Sequence, residues 1–286
     1  MCGKHKKKHI QQRQMKKLLT IPFLFLILSI GCSNTMQGQT AQEFFDQGNA
    51  KRKLEDYRGA IQDYTKTIEL NPQFSEAYNN RGFAKNNLED HRGAIQDFSK
   101  AIALNLQYAD AYSNRGVAKY DLKDYRGAIE DYTKAIALNP QYAKAYSNRG
   151  NAKNGFEDYQ GAIQDFNKAI ALNPQLSGAY NNRGITKSDL EDYRGAMQDY
   201  TKAIALDSQD AYRNRGSAKG RLEDYMGAIQ DFNKAIALNP QDAKAYFGRG
   251  SAKFKNGDKN GGCLDWSEAG ELGDYTAYDL IKEHCN

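Results

Sequence analysis

The sequence predicts an all-α solenoid: seven helix-turn-helix units in a row, closed by one further helix. Three observations predict it. A glycine recurs at 48, 82, 116, 150, 184, 216 and 250, each step being 34 residues except one of 32. A second glycine follows each of these by eleven residues, at 59, 93, 127, 161, 195, 227 and 261. Around them the apolar residues repeat at helical rather than alternating spacing. Self-similarity at this period marks units that cannot bury an apolar face alone and stack on their neighbours to do so.

Residues 1–31 read as a leader. Seven of the 40 Lys and Arg fall within residues 1–17, where no Asp or Glu occurs, and residues 18–31 carry no charge. The formal charge of +5 therefore misdescribes the remainder, in which 33 basic side chains face 35 acidic ones. That balance argues against a nucleic-acid partner, which needs a basic patch beyond the leader. Lys16 and Lys17 precede the apolar run Leu18–Ile30. As a helix this run spans about 20 Å, short of the roughly 30 Å hydrocarbon core. Such a run suits a cleaved export signal rather than a membrane-spanning helix. Met15 is the more natural start for it, which makes residues 1–14 an upstream extension. Cys2, His5 and His9 there invite a metal reading, but a basic segment discarded with the leader accounts for them more simply.

The stretch Leu28-Ser29-Ile30-Gly31-Cys32 resembles the lipobox of bacterial lipoproteins. It matches at Ile30, Gly31 and Cys32 and departs at Ser29, where that motif prefers an aliphatic residue. The resemblance implies that Cys32 is acylated and becomes the N-terminus. Two or three acyl chains would hold the protein at a membrane, since one alone binds marginally. The implied location is a bacterial cell envelope, facing the periplasm, with plain secretion as the alternative. Residues 32–40 then form a linker.

The seven units occupy residues 41–276. In the second, Ala77, Tyr78, Arg81, Gly82, Ala84, Lys85 and Leu88 recur at helical spacing, and Asn87-Leu88-Glu89-Asp90 makes a turn. A second helix from about His91 to Leu104 carries Ala94, Ile95, Phe98, Ala101 and Ile102 on one stripe. Asn-Pro at 71–72, 139–140, 173–174 and 239–240 stops the second helix. The unit from Ser177 to Ser208 is two residues short, which predicts a local change of twist without a break. In the last unit Gly262, Cys263 and Trp266 replace Ala, Ile and Tyr or Phe. Residues 277–286 read as a cap, because a solenoid must seal the face that its missing neighbour leaves open. Cys263, at a core position, and Cys285, past the cap, could be joined in an exported protein or remain two free thiols.

The period and the recurring Tyr78, Gly82, Ala94, Phe98 and Ala101 pattern resemble the tetratricopeptide repeat. The departures are Arg for Leu before the first Gly, Lys for Tyr three residues after it, and Leu106 where Pro would stand. The resemblance implies a right-handed superhelix in which first helices line a concave groove and second helices lie outside. Two residues before the first Gly stand Asn80, Asn114, Asn148, Asn182 and Asn214, with Asp46 before them and Gly248 after. A side-chain amide offers an acceptor and two donors, matching a peptide unit. On the groove, such a row would hold an extended peptide by its backbone. The other reading is that these asparagines bond to neighbouring helices, or are copied with each duplicated unit.

Arg81, Arg115, Arg149, Arg183, Arg215 and Arg249 occur in the six units whose second helix holds Asp97, Asp131, Asp165, Asp199, Asp231 and Asp265. A brace between the two helices explains this pairing more simply than a ligand contact. The first unit has Asp63 but Gln47, so its Asp needs another partner. Some relatives clamp a C-terminal carboxylate with cations on successive first helices. Here those positions carry Glu76, Asp110, Lys144, Gly178 and Asp210, and the clamp pattern is missing. Catalysis has little support: beyond the leader only His91 and His284 remain, with no phosphate loop, nucleophile motif or metal spacing. The expected partner is a protein or peptide, with no cofactor. The alternative is a structural scaffold of an envelope complex that uses its convex face or its ends.

Overall fold

The computed structural model describes residues 39–285. Cys32 and the predicted leader lie outside the described residues. Among those described, no helix is long and apolar enough to cross a membrane. Thr40–Asn286 forms one compact unit, with fifteen helices and no strand among the described residues. The first helices are α1 (Ala41–Lys53), α3 (Ser75–Asn87), α5 (Ala109–Asp121), α7 (Ala143–Gly155), α9 (Ser177–Asp189), α11 (Asp210–Arg221) and α13 (Ala243–Lys255). The second helices are α2 (Tyr57–Leu70), α4 (His91–Leu104), α6 (Tyr125–Leu138), α8 (Tyr159–Leu172), α10 (Tyr193–Ala205), α12 (Tyr225–Leu238) and α14 (Lys259–Glu271). The cap is α15 (Ala277–His284).

Each helix packs on the one before and the one after it. Successive first helices also touch one another, and successive second helices do not to a comparable extent. In a curved stack the closer row lies on the inside, so the first helices form the inner face. The core lies between units as much as within them. Ala94 and Phe98 of one unit bury themselves with Ala118 of the next, and Tyr78, Ala101 and Ile102 with Ala111. Every such cluster is completed within the solenoid itself.

The first glycine of each unit lets the two helices meet. A Cβ at Gly116 would stand 2.7 Å from the Tyr132 ring, and one at Gly150 would stand 2.8 Å from Phe166. The second glycine has a different cause, which the sequence reading left unassigned. Its N–H donates to an Asp three residues earlier, from Asp56–Gly59 through Asp258–Gly261, at 2.9–3.0 Å. These Asp residues are N-caps of the second helices, and a Cβ on the glycine would overlap the capping carboxylate. The residue before each cap is left-handed, with φ between 60° and 64° at Glu55, Glu89, Lys123, Glu157, Glu191 and Glu223. In the last unit Gly257 takes this position.

The second helices stop on asparagine rather than on proline. Asn71, Asn105, Asn139, Asn173 and Asn239 each accept the N–H two residues on, at 3.0–3.1 Å, the turn this short side chain favours. Asn105 does so although Leu106 follows it. The short unit ends α10 one residue earlier and turns through Asp207 at φ 68°. The core nevertheless continues, with Ala203 and Tyr200 packed on Ala211 and Ala218. A pocket of about 300 Å³ opens where the connection is short, between Ile204, Tyr212 and Leu238. At the far end Cys263 and Cys285 form a disulfide. The cap buries Ala277 against Trp266 and Ala269.

Candidate functional site

Two networks diverge from the Asn-Arg pairs. The arginines face Asp on the second helix of their own unit. Each donates from Nε at 2.8–2.9 Å and from a terminal nitrogen at 2.5–2.8 Å. The third nitrogen reaches back to Thr65, Ser99, Thr133, Asn167, Thr201 or Asn233 of the preceding unit, at 2.6–3.2 Å. Each guanidinium also stands 5.2–5.8 Å over a Tyr ring one turn earlier. The sequence reading missed the second cation. Lys85, Lys119, Lys153, Lys187, Lys219 and Lys253 bind the same carboxylate at 2.7–2.9 Å, on the Oδ2 that the arginine Nε also meets. In the first unit Lys51 takes Asp63 alone, at 2.7 Å. The signal was present as the lysine replacing Tyr three residues after each Gly. The Asp131 carboxylate holds Arg115 above its ordinary range against the cost of burial, and Asp231 and Asp265 do the same for Arg215 and Arg249. These groups brace helices and are not free for a ligand.

The asparagines lie half-buried on the inner face, and four of the five bond to the preceding unit. Asn80 donates to Asn49 at 2.9 Å and Asn182 to Asn151 at 2.8 Å. Asn114 donates to Asn79 and Asn214 to Asn181, both at 3.0 Å. The acceptor is whichever of two positions in the preceding unit is asparagine. For Asn148 those positions are Ser113 and Val117, and its side chain makes no hydrogen bond among the described residues. At Gly248 a side chain would overlap the Phe232 ring, so the row ends at Asn214. Contacts with neighbouring helices thus account for part of this row.

Two pockets open on this face in successive units. One of about 250 Å³ is lined by Tyr120, Asn151, Asn154, Phe166, Asn182 and Ile185, among others. The next, of about 280 Å³, takes Ile185, Asp189, Tyr200, Asn214 and Arg221 into its wall. Burial, then Asp110, pushes the Tyr142 hydroxyl up to about 12. Burial, then Glu76, does the same for Tyr108. His91 is a structural residue, its Nδ1 being 2.8 Å from Asn86 Oδ1. No group of three or more His, Cys, Asp or Glu among the described residues could hold a metal.

The second helices also carry exposed basic side chains. Arg58, Arg92, Arg126 and Arg194, with Lys66, Lys100, Lys134, Lys168, Lys202 and Lys234, are exposed on the second helices. Lys66 pairs with Glu69 at 2.7 Å; none of the other nine has a carboxylate partner among the described residues. The mean charge conceals this because so many acids serve as caps and braces.

The tetratricopeptide-repeat models match residues 109–142, 143–176, 75–108 and 177–210, and a TPR-repeat model matches 48–88 and 216–257. No curated protein matches the chain. Among solved structures, a tetratricopeptide repeat protein from Parabacteroides merdae is 20% identical with a TM-score of 0.68, covering 87% of this chain and 100% of its own. MamA is 27% identical with a TM-score of 0.52, covering 57% of this chain and 96% of its own. YrrB, a TPR protein with an unusual peptide-binding site, is 22% identical with a TM-score of 0.51, covering 64% and 95%. The chain belongs to the tetratricopeptide-repeat family, and its fold is that of a protein–protein interaction module.

Proposed function

We propose that this protein is a membrane-anchored module of a bacterial envelope that binds an extended protein segment along its inner face. The observation that carries the reading is the inner-face run of neutral amides, half-buried and lying beside two pockets. Each amide has two N–H donors and a carbonyl, so a bond to the next unit leaves capacity for a ligand. At roughly 0.5–1.5 kcal/mol net per hydrogen bond, a few such contacts offset the 2–5 kcal/mol or more that ordering a peptide costs. Micromolar, adaptable binding follows. The anchor rests on Ile30-Gly31-Cys32 behind an apolar run too short to span a bilayer. Changing Cys32→Ser should therefore release the protein from the membrane fraction.

The groove is tested by pull-down from envelope extract with residues 33–286, wild type beside Asn114→Ala/Asn148→Ala/Asn182→Ala. Circular dichroism must first show both folded. A partner retained by the wild type and lost by the variant supports the groove. Equal retention moves the site to a second reading, in which the outer face docks on a larger envelope complex. The nine unpaired outer cations favour that reading. Gln62, Gln96, Gln164, Gln198 and Gln230 stand four residues before five of the six lysines, where Glu would otherwise neutralise them; Glu130 stands before Lys134.

A further inference from the structure

The hydrogen bonds divide the inner face unequally. The first helices carry twelve asparagines, at 49, 79, 80, 86, 87, 114, 148, 151, 154, 181, 182 and 214. Ten of these side chains bond within the protein: in pairs between units, to Asp121 and His91 from Asn86, and to the Phe83 carbonyl from Asn87. The two that make no hydrogen bond among the described residues are Asn148 and Asn154. Both lie on α7, the first helix of the central unit. Asn154 Oδ1 is shut away from solvent with no partner, which a buried acceptor does not normally tolerate. It lines the 250 Å³ pocket.

We infer that α7 is where the groove reads its ligand: Asn148 and Asn154 hold the partner segment, and the pocket takes one uncharged, hydrogen-bond-donating side chain. This rests on the groove reading and narrows it. The two asparagines are six residues apart, about 9 Å along the helix. Six residues also turn about 120° around the axis, so a segment that meets both crosses α7 obliquely, over about three residues of extended chain. The pocket wall is neutral, with Tyr120, Phe166 and Ile185 giving apolar contact and Asn151, Asn154 and Asn182 giving amides. A carboxylate or ammonium entering it would lose hydration with no counter-charge to meet. A hydroxyl or amide meets the Asn151, Asn154 and Asn182 amides that line the pocket and keeps its remaining surface on the apolar wall. Asn, Gln, Ser and Thr fit, and Asp, Glu, Lys and Arg do not. The next pocket, walled by Asp189 and Arg221, imposes no such neutrality.

The test is selection from a phage-displayed library of random dodecapeptides on residues 33–286, followed by fluorescence anisotropy with the synthetic selected peptides. Peptides sharing an uncharged donor residue are expected. Asn148→Ala and Asn154→Ala should each weaken binding about three- to tenfold, while Asn80→Ala, whose amide already serves the neighbouring unit, stays within twofold. Circular dichroism shows that all three variants are folded. Peptides that bind equally to the α7 variants but lose affinity with Asn80→Ala overturn this inference and leave the groove standing. Enrichment of charged residues at the α7-sensitive position overturns the pocket assignment. If the wild type selects no peptide, this inference and the groove reading fall together.

Discussion

Asp131 is 3% exposed and meets two cations, Arg115 through two hydrogen bonds and Lys119 through one oxygen. Buried ion pairs add little net stability over a well-packed apolar substitute, but removing one partner strands the others and costs about 3–5 kcal/mol. Asp131→Ala should thus lower the unfolding free energy from urea titration by an amount in that range, whereas Lys119→Met, which keeps the bidentate Arg115 pair, should cost far less. Equal losses would show that both cations matter alike. The Arg–Asp half of this brace was legible in the sequence, because the two residues stand at the same places in six units, and only the first has the Asp without the Arg. The lysine was not. It looked like a departure from a family pattern, and only the carboxylate oxygen that it shares with the arginine explains it. The asparagines were legible as a row but not as a network. Whether Asn80 or Asn148 is free depends on residues more than thirty positions earlier in the chain, at 49 or at 113 and 117.

Helix boundaries were readable within a residue or two wherever a cap or stop has a side-chain cause. The turn at Leu106 shows the limit: asparagine, not the proline beside it elsewhere, supplies the bond that ends the helix. The second glycines could have been read from Asp three residues earlier, since an N-cap carboxylate and a Cβ at that place compete for one space. At the C-terminal end, α14 and α15 are clipped by Cys263–Cys285, 22 residues apart. Closing a loop of that size contributes on the order of 3 kcal/mol by chain entropy. In a solenoid each element answers mainly to its neighbours, so reduction should loosen the end and leave the centre intact. Hydrogen exchange should rise in α15 and the last turns of α14, with α5–α10 unchanged. Uniform acceleration throughout would mean that the clip supports the whole stack.

Across the whole molecule, the period announced the fold without reference to any single residue, and the core confirms why: its clusters are shared between consecutive units. Charge behaved in the opposite way. Its sum described no surface, because acids concentrate at caps, braces and the inner face while unpaired cations concentrate outside. The asparagine chain has, finally, a mechanical consequence. Units one to three are riveted along the inner face by Asn80–Asn49 and Asn114–Asn79, and units four to six by Asn182–Asn151 and Asn214–Asn181. Units six and seven are held by Arg213–Asp242 at 2.8 Å. Between units three and four the amide rivet is missing. An arch whose inner face is fastened by side chains at every joint but one should be least stiff at that joint, where Arg149–Thr133 at 3.1 Å and the Ala135, Ile136 and Ala145 cluster remain to hold it.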